Sequence, residues 1–288
     1  MSTFAGNYSM LTNFHSHTFY SDGSSKPVDY VHSAIERGMT AYGFSCHAPI
    51  PFAQNWCMRP ENLEKYFATI SDLKEEFKDR IELYAGLEID YIPGHSSVNH
   101  FKNLGRKLNY TIGSVHYVDY FPDGTPCNID GRPDEFRRGL SQIWKEDIIV
   151  AVKRYFHLVR EMLITSPPDI VAHIDKIRMH NRDNCQFDPE EKWYMEEMAN
   201  TLEILQQSGS LMEINTRGVY KGGFSEPYPS EAFIREAFRH GIGIIMNSDA
   251  HKPEEITSGF EETSKLLKRC GYREQVVLLQ NTWQTIPL

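Results

Sequence analysis

The chain has 288 residues, of which 40% are hydrophobic and 24% charged, a composition that excludes wholesale disorder and fibrous repeats. Thirty lysines and arginines against 39 acidic residues give a net charge of −9, which argues against a nucleic-acid partner. No apolar run approaches the roughly 20 residues of a membrane span, and the amino terminus lacks the pattern of a signal peptide. Five scattered cysteines without a CxxC pattern favour reduced thiols, so we expect a cytoplasmic protein that binds neither nucleic acid nor membrane.

Seven short apolar or β-branched runs recur along the chain, and each of them ends in polar residues. Such continuous runs are typical of strands that are buried on both faces in a parallel sheet. In chain order, the predicted strands end near His15, His47, Glu88, His116, His173, Asn215 and Asn247.

Helical segments are predicted between these strands from apolar residues at helical spacing and from proline and glycine at segment ends. They span residues 27–37, 60–78, 134–165, 189–207, 229–239 and 253–269. Strands that alternate with helices indicate βα units around a parallel sheet. About seven such units, in a single domain over residues 1–288, favour a closed α/β barrel over an open sheet.

Residues 119–139 form the longest stretch without apolar periodicity and are rich in proline, glycine and aspartate. This composition predicts a loop. Loops of this length often cover active sites, but a surface connection without a function fits the sequence equally well.

Several polar residues at the strand ends have the spacing of metal ligands. In a parallel barrel the carboxyl ends of the strands meet on one face, where catalytic groups gather. His15 and His17 point to the same side of a strand, and Asp249 and His251 repeat this spacing near the other end of the chain. Asp22 follows the first pair and is either a third ligand or an ordinary turn residue.

Four further candidates stand alone at strand ends. His47, His116 and His173 are each either a metal ligand or a hydrogen-bonded core histidine, and Glu88 needs a cation or a basic partner in its apolar run. Imidazole and carboxylate ligands suit Zn, Fe or Mn, and enough of them exist for more than one ion. Clustered metals favour hydrolytic chemistry. We treat the remaining histidines as incidental: His32, His95, His100, His157, His180 and His240.

Seven motifs in chain order together resemble those of the polymerase-and-histidinol-phosphatase (PHP) family: HSHTFYSDG, SCHAP, GLEID, GSVH, AHID, EINTRG and NSDAH. The resemblance covers most of the chain. Within the family, the motifs look like those of the monofunctional histidinol-phosphate phosphatases. The resemblance implies a distorted (β/α)7 barrel, a TIM-like barrel, with a site for two to three divalent ions. The implied ligands are His15, His17, Glu88 and Asp249 for the first ion, Glu88, His116 and His173 for the second, and Asp22, His47 and His251 for the third.

The resemblance also implies an activity, the metal-dependent hydrolysis of the phosphomonoester L-histidinol phosphate to L-histidinol and phosphate. The expected catalytic residues are then Glu88, Asp249 and His251. Candidate phosphate-binding cations are Arg178, Arg217 and Lys221, although each of them could instead be a surface cation. The rest of the substrate could bind at Asp90, at Glu213 or along residues 119–139.

Two alternatives remain open at this point. A PHP-type phosphoesterase could act on another small phosphate ester, such as a nucleotide. A chain with the same metal ligands could also be a non-catalytic binding module. Either enzyme would act on a small molecule, and the chain could form a homo-oligomer.

Overall fold

A computed structural model describes residues 10–52, 54–221 and 225–288 of the chain. Residues 1–9, where we expect no signal peptide, lie outside this part. Eleven strands lie in the described ranges: β1 (Thr12–Asn13), β2 (Ala41–Phe44), β3 (Glu82–Asp90), β4 (Tyr110–Ser114), β5 (Tyr117–Tyr120), β6 (Pro126–Asn128), β7 (Ile170–Val171), β8 (Leu211–Asn215), β9 (Ile244–Asn247), β10 (Glu274–Leu279) and β11 (Thr282–Pro287).

Seven of the strands form one sheet in the order β1-β2-β3-β4-β7-β8-β9, and every neighbouring pair is parallel. The sheet closes just beyond its first and last strands, where Ser16 and Ala250 form a parallel bridge. The His17 amide donates to the Ala250 carbonyl at 2.8 Å, and the Ala250 amide donates to the His15 carbonyl at 3.2 Å. The predicted seven-stranded α/β barrel is therefore confirmed.

Eight α-helices lie in the described ranges: α1 (Pro27–Glu36), α2 (Leu63–Phe77), α3 (Pro133–Gln142), α4 (Ile148–Thr165), α5 (Lys192–Ser208), α6 (Arg217–Tyr220), α7 (Glu231–Arg239) and α8 (Phe260–Cys270). The prediction of one long helix over 134–165 is wrong, because a turn separates α3 from α4. Lys145 and Glu146 adopt positive φ in this turn, and the Asp147 carboxylate caps α4 by accepting from the Ile149 and Val150 amides. Among the described residues, no helix has both the length and the apolar character needed to cross a membrane.

The segment 119–139 is more ordered than a loop. Strands β5 and β6 form an antiparallel hairpin within and just before it, and α3 begins at Pro133. The sequence showed no apolar periodicity here because these strands are short and irregular, with a register shift between Tyr117 and Asp119.

The amino-terminal end of the barrel is filled by apolar side chains and covered by the β10–β11 hairpin, which the sequence did not predict. Val277 and Ile286 of this hairpin pack with Phe14 and Tyr110 from the barrel strands. The Tyr110 ring fits against Gly86, where a Cβ would lie 2.3 Å from it. This end is therefore closed, and a cavity lies at the opposite end, at the carboxyl termini of the strands.

Candidate metal centre

All nine predicted metal ligands meet at the carboxyl end of the barrel. Each histidine of the group follows a strand by a few residues, so the barrel geometry aims the side chains at one another. His15, His17, Glu88, His116 and His173 are almost fully buried, whereas Asp22 and His251 lie at the cavity edge.

Glu88 lies at the centre of the group, and its two carboxylate oxygens face different histidines. Its Oε2 is 3.0 to 3.4 Å from one ring nitrogen each of His47, His15 and His17. Its Oε1 is 3.2 Å from His173 Nε2 and 3.7 Å from His116 Nε2. This arrangement is what a carboxylate shared between two cations requires.

The predicted ligands of the third ion also lie together. Asp22 Oδ2 is 3.0 Å from His251 Nε2, and Asp22 Oδ1 is 3.9 Å from His47 Nε2. His17 joins this group, since its Nδ1 is 3.6 Å from Asp22 Oδ1. Three sets of ligand atoms within 4.8 Å of one another lie in the described part of the chain: His17, Asp22, His47 and His251; His15, His17 and Asp249; and His47, Glu88 and His116.

Many of these buried atoms lie close to one another but, among the described residues, make no contact with the geometry of a hydrogen bond. They are His15 Nε2, both ring nitrogens of His17, His47 Nδ1, His116 Nε2, His173 Nδ1 and Glu88 Oε2. A buried polar atom without a partner costs roughly 1–3 kcal/mol, so a cluster of such atoms would be strongly destabilising. Divalent cations would satisfy most of these lone pairs, and the donor set of imidazoles and carboxylates fits them.

Two carboxylates behind the ligands orient the imidazole rings. Glu213 Oε1 is 2.6 Å from His15 Nδ1, and Asp90 Oδ1 is 2.9 Å from His116 Nδ1. Because a carboxylate only accepts, each Nδ1 carries a proton, and each Nε2 faces the centre. Asp90 and Glu213, two of the positions where the rest of the substrate could bind, are almost fully buried and do not line the cavity.

The electrostatics of the centre keep one imidazole neutral and one carboxylate charged. Burial together with the neighbouring His251 and His47 lowers the pKa of His17 to about 3, so its ring is a ready neutral ligand. Burial acts to raise the pKa of Glu88, but His47 and His15 outweigh it and hold that pKa well below its usual range. Burial likewise acts to lower the pKa of His116, and the Asp90 charge reverses this and raises it to about 9.

Two of the nine residues adopt backbone conformations that non-glycine residues rarely occupy. The φ angle is 23° at His173 and 52° at Asp249. Such conformations cost of the order of 1–3 kcal/mol each and cluster at functional sites, where the surrounding structure enforces them. Both side chains are thereby turned inward immediately after β7 and β9.

The structure brings only one of the three predicted phosphate-binding cations to the cavity. Arg217 begins α6, lines the cavity and donates from Nη1 to the Asp249 carbonyl at 2.8 Å. The guanidinium of Arg178 instead donates to Asp175, Glu226 and the Pro227 carbonyl, away from the cavity. Lys221 is half exposed and pairs with Glu255 at 3.0 Å.

The cavity over the centre has a volume of about 430 Å³ and includes residues that the sequence did not single out. Trp56 lies on one side, and Asn128, Asp130 and Arg132 contribute from the 119–139 segment. Of the two interpretations of that segment, the structure favours the one in which it covers a site. Lys176 is a further buried cation nearby, with its Nζ 3.3 Å from Asp130 Oδ1.

Comparisons with known proteins agree with this architecture. The PHP domain model matches residues 13–217. A protein of Deinococcus radiodurans named "Probable histidinol-phosphatase" is 27% identical over 91% of this chain and 95% of its own length. The Bacillus subtilis protein named "Histidinol-phosphatase" is 24% identical, over 89% of this chain and 98% of its own length.

A solved structure supports the same fold. The histidinol phosphate phosphatase of Lactococcus lactis, crystallised with zinc, L-histidinol and phosphate, matches with a TM-score of 0.66 and 20% identity. The match covers 95% of this chain and 98% of that one. With a family model that spans most of its length and a barrel whose strand ends carry the expected ligands, the chain belongs to the PHP domain family.

Proposed function

We propose that the chain is a metal-dependent phosphomonoesterase that hydrolyses L-histidinol phosphate to L-histidinol and phosphate. The observation that carries the hydrolytic part is the position of Glu88, whose two oxygens face five imidazoles beneath an open cavity. The substrate is suggested by the relatives named histidinol-phosphatase, which align along about nine-tenths of the chain. The reaction would belong to histidine biosynthesis and would take place in the cytoplasm. The five free cysteines suit such a reducing compartment.

Two to three divalent ions, Zn, Fe or Mn, would be held by the nine residues of the centre. When bound, such ions activate water and neutralise charge on the phosphoryl oxygens. Glu88 would be shared between two of the sites. Asp249 would serve as a ligand with one oxygen, while its other oxygen accepts from Asn215 Nδ2 at 3.2 Å.

The chain's own residues would then fix the geometry of the reaction. Glu213 accepts four hydrogen bonds, from the His15 ring, the His173 amide, and the side chains of Asn215 and Asn247. The bond to the His15 ring places a proton on Nδ1 and turns Nε2 towards the centre, and the other three bonds hold the Glu213 carboxylate in place. Arg217 would bind the substrate phosphate, because a guanidinium can contact two of its oxygens and stabilise charge that redistributes in the transition state.

His251 would combine several contacts at the cavity edge. Its Nδ1 is 3.0 Å from both the Asp249 carbonyl oxygen and Arg217 Nη1. Its Nε2 faces Asp22 at 3.0 Å. His251 and Asp22 would thus complete the third metal site beside the phosphate-binding Arg217.

The proposal is tested by the ratio of the specificity constants for L-histidinol phosphate and a nucleoside monophosphate, measured on metal-loaded protein. We expect a preference for L-histidinol phosphate of about tenfold or more, which corresponds to about 1.4 kcal/mol. Equal rates, or a preference for the nucleotide, would leave a PHP-type phosphoesterase with another substrate. Full activity of protein freed of metals by dialysis against a chelator would exclude the metal-dependent mechanism.

A further inference from the structure

One histidine outside the metal centre joins two of the segments that surround the cavity. His180 ends a 3₁₀ turn, Lys176–His180, that follows β7. Its ring stacks face to face on Phe136 of α3, with ring centroids 3.7 Å apart and ring planes inclined by 2°. Its Nε2 is 2.6 Å from the backbone carbonyl oxygen of Ile129.

The protonation of this ring follows from its partner. A carbonyl oxygen only accepts hydrogen bonds, so Nε2 of His180 must carry a proton and donate it. Burial lowers the pKa of His180, so the ring is neutral and holds its single proton at that nitrogen at neutral pH. The contact is therefore a directed hydrogen bond that is supported by the stacked Phe136 ring.

The backbone that His180 holds is the one that enters the cavity. The Ile129 amide donates to the His116 carbonyl at 2.8 Å, so Ile129 is fixed from both sides. The next residue, Asp130, has its carboxylate 3.8 Å from His116 Nε2 and 3.3 Å from Lys176 Nζ. A shift of Ile129 would therefore displace the Asp130 carboxylate, which lies beside the predicted metal ligand His116.

We propose that His180 is a positioning residue that fixes residues 128–132 as the wall of the cavity against which the part of the substrate beyond its phosphate binds. This inference rests on the proposed function. His180 does not line the cavity and acts through Ile129 and Asp130. Its ring contacts the Phe136 ring and the Ile129 carbonyl, whereas Arg217 and the metal ligands would hold the phosphate.

The experiment compares His180→Ala and His180→Gln with His157→Ala, a change at an exposed histidine on α4. Four quantities are measured: KM and kcat for L-histidinol phosphate, inhibition by inorganic phosphate, metal content, and hydrogen exchange of residues 128–132. For His180→Ala we expect KM to rise about tenfold with kcat within about threefold, since one hydrogen bond and one ring contact are lost. Exchange of residues 128–132 should become faster, while phosphate inhibition and metal content stay unchanged.

Each other outcome has a defined meaning. His180→Gln keeps an N–H donor without the stacked ring and should recover part of the loss; it also carries the test if the alanine variant does not fold. Unchanged KM and unchanged exchange would overturn the inference, as would a parallel loss of phosphate inhibition or of metal, which would mean that His180 supports the centre itself. If wild-type protein does not hydrolyse L-histidinol phosphate, the proposed function fails, and the exchange measurement alone decides whether His180 positions the segment.

Discussion

The role of Arg217 can be separated from a structural one, because the contacts that this side chain makes with the protein are few. Its Nη1 donates to the Asp249 carbonyl at 2.8 Å, lies 3.0 Å from His251 Nδ1 and is 4.0 Å from Glu255 Oε2, too far for a hydrogen bond. The side chain is 24% exposed, so water can reach the carbonyl after Arg217→Ala. We expect the free energy of unfolding to fall by about 1 kcal/mol, the net contribution of one ordinary hydrogen bond. In a chain of this size that loss lowers Tm by about 2–4 °C.

The expected effect of Arg217→Ala on catalysis is larger. Removal of one preorganised donor that stabilises transition-state charge costs about 2.7 kcal/mol, or roughly a hundredfold in kcat/KM. Arg217→Lys should recover only part of this loss, because an ammonium keeps the charge but loses the two-pronged contact with phosphate oxygens. Metal content should stay at the wild-type value, since Arg217 is not a ligand.

The assay combines kcat/KM for L-histidinol phosphate, elemental analysis and thermal unfolding on the same preparations. Lys221→Ala is the matched control, because Lys221 is a nearby cation that pairs with Glu255 and does not line the cavity. It should change kcat/KM by less than about threefold, as expected for a partly exposed ion pair. If Arg217→Ala melts far earlier while its folded fraction turns over normally, Arg217 is structural, and Lys176 becomes the better phosphate-binding candidate.

Three further results are expected. Glu88→Gln should lose more metal per chain than Asp22→Asn, because an amide offers one neutral oxygen where Glu88 faces two sets of histidines; equal metal content by elemental analysis would contradict the shared role. Glu213→Gln should weaken metal binding about 10–100-fold in a chelator competition, since it releases the His15 ring; wild-type affinity would show that the tautomer does not depend on Glu213. Ile286→Ala in the β10–β11 hairpin should destabilise the chain by about 2–5 kcal/mol in denaturant unfolding, whereas kcat of the folded protein stays unchanged because the hairpin covers the other end of the barrel; a large drop in kcat would contradict that separation.

The features predicted from sequence are those that local patterns determine. Buried parallel strands have a distinctive run of apolar residues, and their polar ends mark the carboxyl side of the barrel, so the residues of the metal centre could be named. The turn between α3 and α4 was missed because Lys145 and Glu146 carry no turn signature. The β10–β11 hairpin was also missed, although its strands carry apolar residues that pack against the barrel interior.

The remaining differences come from side-chain direction and long-range contacts. After β7 the chain turns through an irregular 3₁₀ segment, which brings Lys176 beside Asp130 and directs Arg178 towards Glu226. No periodicity predicts which of two cations in such a turn faces the cavity. Likewise, nothing near His180 in the sequence indicates that it bonds to Ile129, 51 residues earlier.

The closure of the barrel between Ser16 and Ala250 has a consequence for how the protein is assembled. The proposed metal centre lies on both sides of this junction, with His15 and His17 on one side and Asp249 and His251 on the other. Ions bound there would link two segments that are more than 230 residues apart in sequence. A ligand present at about a thousand times its dissociation constant stabilises the state that binds it by about 4 kcal/mol. That amount is enough to decide whether the first and last strands of the barrel remain paired. Metal supply would then govern how long the folded barrel persists as well as how fast it turns over substrate.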